Sequence, residues 1–246
     1  MLKLKILEPK EKITNEWTIE KVAKEYPPPS WEAVFENAKN ELKDISDILE
    51  EDKVNGRRLP DNCNLFRAFW LTPLHKVKVL LLGMDPYFNV LPDGNPLATG
   101  LAFSILTGAP IPSSLQNIYK ELKSDIDFVR PNHGNLSHWA TQGVFLLNAS
   151  LTVREGQSGS SGAIWNGFIK KVINAILEVN PKCIFVAWGN NAQKVTSKFV
   201  GERAIVLTAA HPSGLSANRG FFGCKHFSKI NELLITQQSL PIDWSL

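Results

Sequence analysis

Four short apolar segments constrain the fold of this chain more than any other feature of its sequence. Each is rich in aliphatic and β-branched residues and lacks strict apolar–polar alternation, which is typical of strands buried on both faces. They are VKVLLLG from Val77 to Gly83, GVFLLNASL from Gly143 to Leu151, CIFVAWG from Cys183 to Gly189 and AIVLTAA from Ala204 to Ala210.

Helical patterns lie between and after these segments. One begins at Ser113, two more cover Ile164 to Asn180 and Asn190 to Val200, and the last is the HFSKINELLITQQ segment near the C-terminus. Strands that alternate with helices predict a parallel sheet with helices on both faces, joined by right-handed crossovers. We therefore predict an α/β fold, a three-layer α/β/α sandwich around a central four-stranded parallel sheet.

The first 60 residues predict helices with charged faces. One helix is expected from Glu16 to Tyr26, and after the proline triplet at 27–29, Ser30 is the candidate N-cap of a second helix that starts at Trp31. No repeat and no Gly/Ser linker divides the chain. We predict one domain over residues 1–246, with a helical N-terminal part at 1–60 and an α/β core at 61–246.

The composition excludes several classes of protein. With 43% hydrophobic and 21% charged residues, the chain is neither disordered nor fibrous. No apolar run approaches the ~18 residues that a membrane span needs, and the N-terminus lacks the apolar core of a signal peptide, so we expect a soluble cytoplasmic protein without a membrane partner. The three cysteines form no C-x-x-C pair, so we expect each to be a buried apolar residue and not a metal ligand.

The charge is unevenly distributed along the chain. The net charge is only +3, but the segment from Lys182 to Lys229 contains seven Lys and Arg residues and a single acidic one, Glu202. This asymmetry permits a polyanionic partner such as a nucleic acid but does not require one, because a solvated surface with this net charge is common.

Polar residues follow the predicted strands at the positions where chemistry is expected. Active sites of open parallel sheets lie beyond the carboxyl ends of the strands. The first apolar segment continues to Asp85, the second contains Asn148, and the fourth continues to His211. We expect these three side chains to converge at one edge of the sheet.

Two of the three residues have structural alternatives. Asp85, held in a turn by Pro86, is also typical of a helix N-cap or an Asx-turn. His211 is a candidate general acid, neutral hydrogen-bond donor or core histidine. Asn148 is harder to explain structurally, because a buried amide needs partners for both its donors and its acceptor, and this pair matches the edge of a planar imide.

The motifs at these positions resemble those of family 1 uracil-DNA glycosylases, over about Ser30 to Asp243. GMDPY at 83–87 is similar to the family's water-activating motif, and HPSGLS at 211–216 is similar to its leucine loop. Further matches, in order, are GLAFSI, IPSSLQNIYKEL, RPNHGNLSHWATQGVFLLNASLTVREGQ, WGNNAQK and PIDW. The resemblance implies a monomeric enzyme that releases uracil from single- or double-stranded DNA, leaves an abasic site and uses no metal or other cofactor.

The resemblance also implies roles for individual residues. Asp85 and His211 would be catalytic, with Asp85 positioning the attacking water and His211 donating a hydrogen bond to the uracil oxygen. The implied uracil-binding residues are Met84, Tyr87, Phe103, Asn148 and His211; Tyr87 would exclude the thymine methyl and Phe103 would stack on the base. The implied DNA contacts are Pro112, Ser113, Ser114, Asn190, Ser213, Gly214, Ser216 and Arg219, with Leu215 as the wedge that replaces the flipped base.

Several positions depart from the family pattern. Met84 and Phe88 replace Gln and His, Asn190 replaces Ser, Gly214 replaces Pro, Thr99 replaces His, and the run at 157–161 lacks a His. The segment from Asn89 to Thr99 is longer than in the family, and we expect it to form an extended loop at the pocket mouth. These changes predict altered strand preference and lower sensitivity to the phage-encoded DNA-mimic inhibitor of the family.

Two other functions remain open at this stage. Apolar residues at Met84 and Phe88 would suit a glycosylase with a shifted base choice. A DNA-binding module of a replication complex could also derive from this fold, but binding alone would require neither Asp85 nor His211.

Overall fold

The computed structural model describes residues 12–246. Its helices are Ile19–Glu25 (α1), Glu32–Asn37 (α2), Lys39–Glu51 (α3), Asn62–Leu65 (α4), Arg67–Leu71 (α5), Ser113–Asp125 (α6), Ser137–Thr141 (α7), Asn166–Val179 (α8), Asn190–Phe199 (α9) and His226–Thr236 (α10). Its strands are Arg58–Leu59 (β1), Val79–Gly83 (β2), Val144–Asn148 (β3), Val153–Arg154 (β4), Ile184–Trp188 (β5) and Val206–Ala209 (β6). Short 3-10 turns cover Asp52–Asn55, Leu74–Lys76 and Ala217–Arg219.

The four predicted strands form one parallel sheet. Their order is β3-β2-β5-β6, and all neighbouring pairs are parallel. The register pairs Gly83 with Asn148 and Trp188 with Ala209, so the carboxyl ends of the four strands lie along one edge. The predicted α/β fold with a four-stranded parallel sheet is confirmed.

The fourth apolar segment departs from the expectation of burial on both faces. Every residue of β2, β3 and β5 is buried, but Thr208 in β6 is exposed and Val206 is only half-buried. β6 has a hydrogen-bonded neighbour on one side only, and its neighbour in sequence, Ile205, is 41% exposed. The uniform apolar composition therefore does not reveal that this strand is at the edge of the sheet.

The N-terminal helices differ from the predicted ones. Trp31, not Ser30, occupies the N-cap position of α2, and the second helix is broken at Ala38 into α2 and α3. The predicted N-cap at Ser30 is wrong because its hydroxyl accepts a hydrogen bond from the Leu74 backbone N–H at 2.9 Å. This side chain therefore joins two distant segments instead of capping its own helix.

Two aromatic clusters attach helical segments to the sheet. On β3, Phe145 stacks on Trp31 with ring centroids 5.0 Å apart. On β5, Trp188 contacts Phe227 of α10 at 6.0 Å and donates through Nε1 to His226 Nδ1 at 3.0 Å. Aromatic pairs of this kind contribute about 0.5–1.5 kcal/mol each beyond the area they bury. Burial lowers the pKa of His226 to about 4, so this histidine is a neutral core residue.

The three cysteines differ in how deeply they are buried. Of the three cysteines, Cys183 is buried, whereas Cys63 and Cys224 are half-buried. The expectation of burial is therefore wrong for Cys63 and Cys224.

Within residues 12–246, no helix combines the length and the apolar character needed to cross a membrane.

Candidate active site

The carboxyl edge of the sheet borders a cleft of about 200 Å³. Asp85, Asn148 and His211 all line it, together with Tyr87 and Phe103. The structure thus brings together the three polar residues that follow three different strands, as their positions in the sequence predict.

Asn148, the last residue of β3, presents an amide without a protein partner. Its side chain lies against Gly83, since a Cβ added to Gly83 would be only 2.2 Å from Asn148 Oδ1. The residue is 6% exposed, and no hydrogen bond to its amide is found among residues 12–246. The amide lines the cleft. A ligand in the cleft can satisfy both its donor and its acceptor.

His211 is held as a neutral imidazole. Its Nδ1 accepts a hydrogen bond from the Ser213 backbone N–H at 3.1 Å, so the proton of the neutral ring is on Nε2. Burial lowers the pKa of His211 below its usual range, and the Asp85 carboxylate opposes this effect only in part. Gly189 makes room for the His211 side chain. Any larger residue at this position would place its Cβ only 2.8 Å from the His211 Cβ, which is too close. The imidazole therefore has one N–H donor and no positive charge.

Asp85 is oriented by a loop that lies far away in sequence. Its Oδ2 accepts hydrogen bonds from the Gly159 backbone N–H at 2.6 Å and from the Ser158 hydroxyl at 3.1 Å. Asp85 is not the N-cap of any of the helices α1–α10. Its carboxylate therefore contacts a distant loop instead of capping a helix. One carboxylate oxygen is thus fixed by two hydrogen bonds.

Two aromatic residues complete the walls. Phe103 has a φ of 63°, which is unusual for a residue other than glycine, and its ring lies 5.9 Å from the His211 ring. The Tyr87 hydroxyl is buried and has no hydrogen-bond partner among the residues described. Burial raises the pKa of Tyr87, so the phenol stays neutral.

Comparisons with known proteins agree with this geometry. The model of the uracil DNA glycosylase superfamily matches residues 69–235. The uracil-DNA glycosylase of Xanthomonas euvesicatoria pv. vesicatoria (strain 85-10) is 43% identical over 222 residues, which cover 89% of this chain and 90% of that protein. The chain belongs to the uracil-DNA glycosylase superfamily. It is an enzyme that excises uracil from DNA.

Two further relatives support the assignment. The uracil-DNA glycosylase of Yersinia pestis (strain Pestoides F) is 46% identical over 220 residues, covering 87% of this chain and 94% of that protein. The crystal structure of mimivirus uracil-DNA glycosylase matches with a TM-score of 0.85 at 30% identity, covering 89% of this chain and 87% of that one. A variant of the mimivirus protein has been solved in complex with UGI.

The leucine loop of this glycosylase is folded internally but open to solvent at its tip. Leu215 is 89% exposed, so it is not a core residue. A Cβ added to Gly214 would meet no atom within 4 Å, whereas the hydroxyls of Ser213 and Ser216 lie 2.9 Å apart. The Ser216 hydroxyl also donates to the carbonyl of His211 at 2.8 Å, which joins the loop to the cleft.

The remaining predicted DNA contacts lie at helix starts and in exposed turns. Ser113 is the first residue of α6 and is exposed, and Ser114 lines the cleft. Asn190 is the exposed first residue of α9, and Arg219 is exposed in a 3-10 turn. Pro112 occupies the N-cap position of α6. Helix starts present free backbone N–H groups, which suit phosphate oxygens.

The segment from Asn89 to Thr99 forms a compact hairpin, so the expected extended loop is wrong. Val90 bridges to Pro96, and the Leu97 N–H donates to the Asn89 carbonyl at 3.0 Å. Arg57 holds the tip through a 2.8 Å bond to the Gly94 carbonyl. Turn-forming residues at the tip and buried residues at 96–99 make the extra length fold on itself.

Sequence reasoning misses several residues that shape the site. Ser158 and Gly159 lie in a run that stands out in the sequence only for lacking a histidine, yet they hold the catalytic candidate Asp85. Asn191 donates to the sulfur of Met84 at 2.8 Å, so the residue that replaces the family's Gln still has a polar neighbour. Neither contact leaves a local sequence signal, because the partners are far apart along the chain.

Proposed function

We propose that this enzyme flips uracil out of DNA into the cleft and hydrolyses its glycosidic bond there, with Asp85, Asn148 and His211 dividing the chemistry. The observation that supports this most strongly is the Asn148 amide, which lines the same cleft as the other two groups and has no hydrogen-bond partner among residues 12–246. An amide donates to the O4 carbonyl of uracil and accepts from its N3–H. Cytosine offers the opposite pattern at these two positions.

Cleavage separates two opposite charges over a short distance. The bond between C1′ and the base breaks with its electron pair going to uracil, so the sugar becomes cationic and the base anionic. His211, as a neutral Nε2–H donor, stabilises the developing anion on the uracil oxygen. Asp85 stabilises the cationic sugar and directs a water to C1′ through its remaining oxygen. As the water bonds to C1′, it gives a proton to the Asp85 carboxylate, which passes it to solvent, and the uracil anion takes up a proton from solvent, so that the abasic sugar and neutral uracil leave.

Base selection rests on the walls of the cleft. Tyr87 stands where a thymine methyl would have to fit, and Phe103 stacks on the base. Excluding one methyl group by overpacking is worth about 1–3 kcal/mol. The fixed backbone of Phe103 and the buried phenol of Tyr87 make these walls rigid enough for that purpose.

The rim of the cleft supplies the contacts that hold and bend DNA. Ser113, Ser114, Ser213 and Ser216 approach the phosphates, with Pro112, Asn190, Gly214 and Arg219 beside them, and the exposed Leu215 fills the space that the base leaves.

Three variants test the assignment of roles. Asp85→Asn should lower the rate of uracil release by at least about 100-fold, because general-base and charge-stabilising groups contribute this much. Asn148→Ala should abolish most uracil release, and the exposed Lys120→Ala serves as the control. Free uracil is measured with single- and double-stranded oligonucleotides. An Asn148→Ala variant with wild-type activity would show that the amide does not read the base.

A shifted base choice is favoured by one observation, the apolar side chains of Met84 and Phe88 in the cleft lining. Competing release of uracil, hypoxanthine and 5-substituted uracils from DNA distinguishes it from uracil specificity. We also propose that the altered rim makes the enzyme less sensitive to UGI, the inhibitor protein of this family. Uracil release measured at a saturating concentration of UGI tests this proposal, and complete inhibition would refute it. One domain, a monomeric state and a cytoplasmic location stay predictions.

A further inference from the structure

Helix α6 carries a row of polar side chains that bind the backbone of the segment containing the leucine loop. Asn117, Glu121 and Asp125 are four residues apart and therefore share one face of the helix. Glu121 is 1% exposed and Asn117 is 8% exposed. Polar side chains buried on a helix face need specific partners, and each of these three finds them between residues 212 and 228.

The first member of the row holds the entry of the loop. Asn117 Nδ2 donates to the carbonyl of Pro212 at 2.8 Å. Pro212 directly follows His211 and precedes the serines and leucine of the loop. This bond therefore fixes the backbone where the chain leaves the cleft.

The second and third members hold the exit. Glu121 accepts from the Gly223 N–H at 2.7 Å and from the Lys225 N–H at 2.9 Å. Asp125 accepts from the Ser228 N–H at 2.9 Å and from its hydroxyl at 2.6 Å. α10 begins at His226, and Lys225 makes no side-chain cap. The carboxylates of α6 thus cap the start of α10, where negative charge is favourable.

The wedge needs this fixation for a mechanical reason. Leu215 is 89% exposed, so no packing of its own side chain resists displacement when it meets stacked bases. Its backbone is held by bonds within the loop, such as Ser216 N–H to the Ser213 carbonyl at 3.0 Å, and by the two ends. α6 also starts at Ser113, one of the proposed phosphate contacts, so one helix links the phosphate contact to the wedge.

We propose that Glu121 is a positioning residue for strand opening: it fixes the exit of the leucine loop relative to α6, so that Leu215 enters the base stack while the phosphates are held. This inference rests on the proposed wedge function of Leu215. Glu121 touches neither the base nor the sugar. Its contribution is expected with duplex DNA and is nearly absent with single-stranded DNA, where no stack has to be opened.

The Glu121→Gln variant tests the proposal directly. A glutamine has one acceptor oxygen, and its amide N–H group would face one of the two backbone N–H groups. We expect the kcat/KM for duplex uracil DNA to fall by about tenfold or more, as for the loss of a charge-assisted buried bond, and that for single-stranded DNA to fall by less than about threefold. Glu232→Gln, the same exchange at an exposed position of α10, should change neither.

Two additional variants separate positioning from general destabilisation. Asp125→Asn perturbs the same exit at a half-buried position and should show a smaller duplex-specific loss; it carries the test if Glu121→Gln does not fold. In a Leu215→Ala background, Glu121→Gln should no longer alter the ratio of duplex to single-strand activity, because the residue through which it acts is gone.

The outcomes distinguish this inference from the proposed function. Equal losses on both substrates, or an undiminished effect of Glu121→Gln in the Leu215→Ala background, would overturn the positioning role while leaving uracil release intact. If Leu215→Ala itself left duplex activity unchanged, the proposed wedge would be wrong and the inference would fall with it. A duplex-specific loss that vanishes without Leu215 supports both.

Discussion

The floor and the rim of the cleft are built by different means. On the floor, Asn148 and His211 lie against Gly83 and Gly189, where a Cβ would approach their atoms to 2.2 Å and 2.8 Å. On the rim, a Cβ at Gly214 would meet no atom within 4 Å. The floor therefore admits almost no change in side-chain position, whereas the rim has room for substitution.

This difference explains where the chain departs from the family motifs. Asn148 and His211, on the floor, match the family motifs. Gly214 and the hairpin tip at 92–95 lie in exposed positions, and Met84 is 37% exposed. Thr99 is an exception, because it is 6% exposed; its hydroxyl is satisfied by the Ser104 carbonyl at 3.3 Å. Met84 and Phe88 line the cleft itself, so the departures affect its wall as well as the exposed rim.

The largest expected effect comes from adding one methyl group to the floor. Gly83→Ala would push the Asn148 amide out of position, and a displacement of about 1 Å can cost about 100-fold in rate. We expect uracil release to fall by at least about that factor. Gly214→Ala adds the same methyl group on the rim, where it would meet no atom within 4 Å, and its single-strand activity should fall by less than about tenfold. Similar losses in both variants would remove the distinction between floor and rim.

The second effect concerns the wedge alone. Leu215→Ala should lower the kcat/KM for duplex uracil DNA by about tenfold, because the space of the flipped base is no longer filled and a few kcal/mol of lost stacking go uncompensated. Activity on single-stranded DNA should change by less than about twofold. A parallel loss on both substrates would place Leu215 among the residues that bind the base itself.

A third, smaller effect is the pH response of His211. Because burial lowers its pKa in the folded protein, the ring stays neutral as the pH falls through the ordinary histidine range. The unfolded chain takes up this proton first, so the stability contributed by His211 is complete above a pH of about 6.5 and declines below it. An NMR titration should give a midpoint below about 6.5. A higher midpoint would mean that a cation faces the departing base.

The smallest effect is expected for Tyr87→Phe. The hydroxyl has no partner among residues 12–246, so its removal should change the free energy of unfolding by less than about 0.5 kcal/mol, and the ring still excludes the thymine methyl. Chemical denaturation and competing release of uracil and thymine measure both quantities. A loss of more than about 1 kcal/mol would reveal a bond to the phenol that the structure does not show.

Periodicity and position predict the parts of this enzyme that depend on local sequence. The apolar segments indicate the four strands, and the residues after them identify Asp85, Asn148 and His211. The hydrogen bonds from Ser158 and Gly159 to Asp85 are not predictable in this way, because they span more than 70 residues. The predicted N-cap at Ser30 is wrong for the same reason. The Ser30 hydroxyl accepts a hydrogen bond from the distant Leu74 backbone N–H and does not cap the helix that follows it.

The most direct test of the account is the base released by Asn148→Asp. The carboxylate accepts hydrogen bonds but donates none, so it matches the amino group of cytosine and loses the bond to the O4 of uracil. We expect cytosine release to appear and uracil release to fall, measured on matched oligonucleotides. Unchanged uracil release without any free cytosine would contradict the claim that Asn148 reads the base.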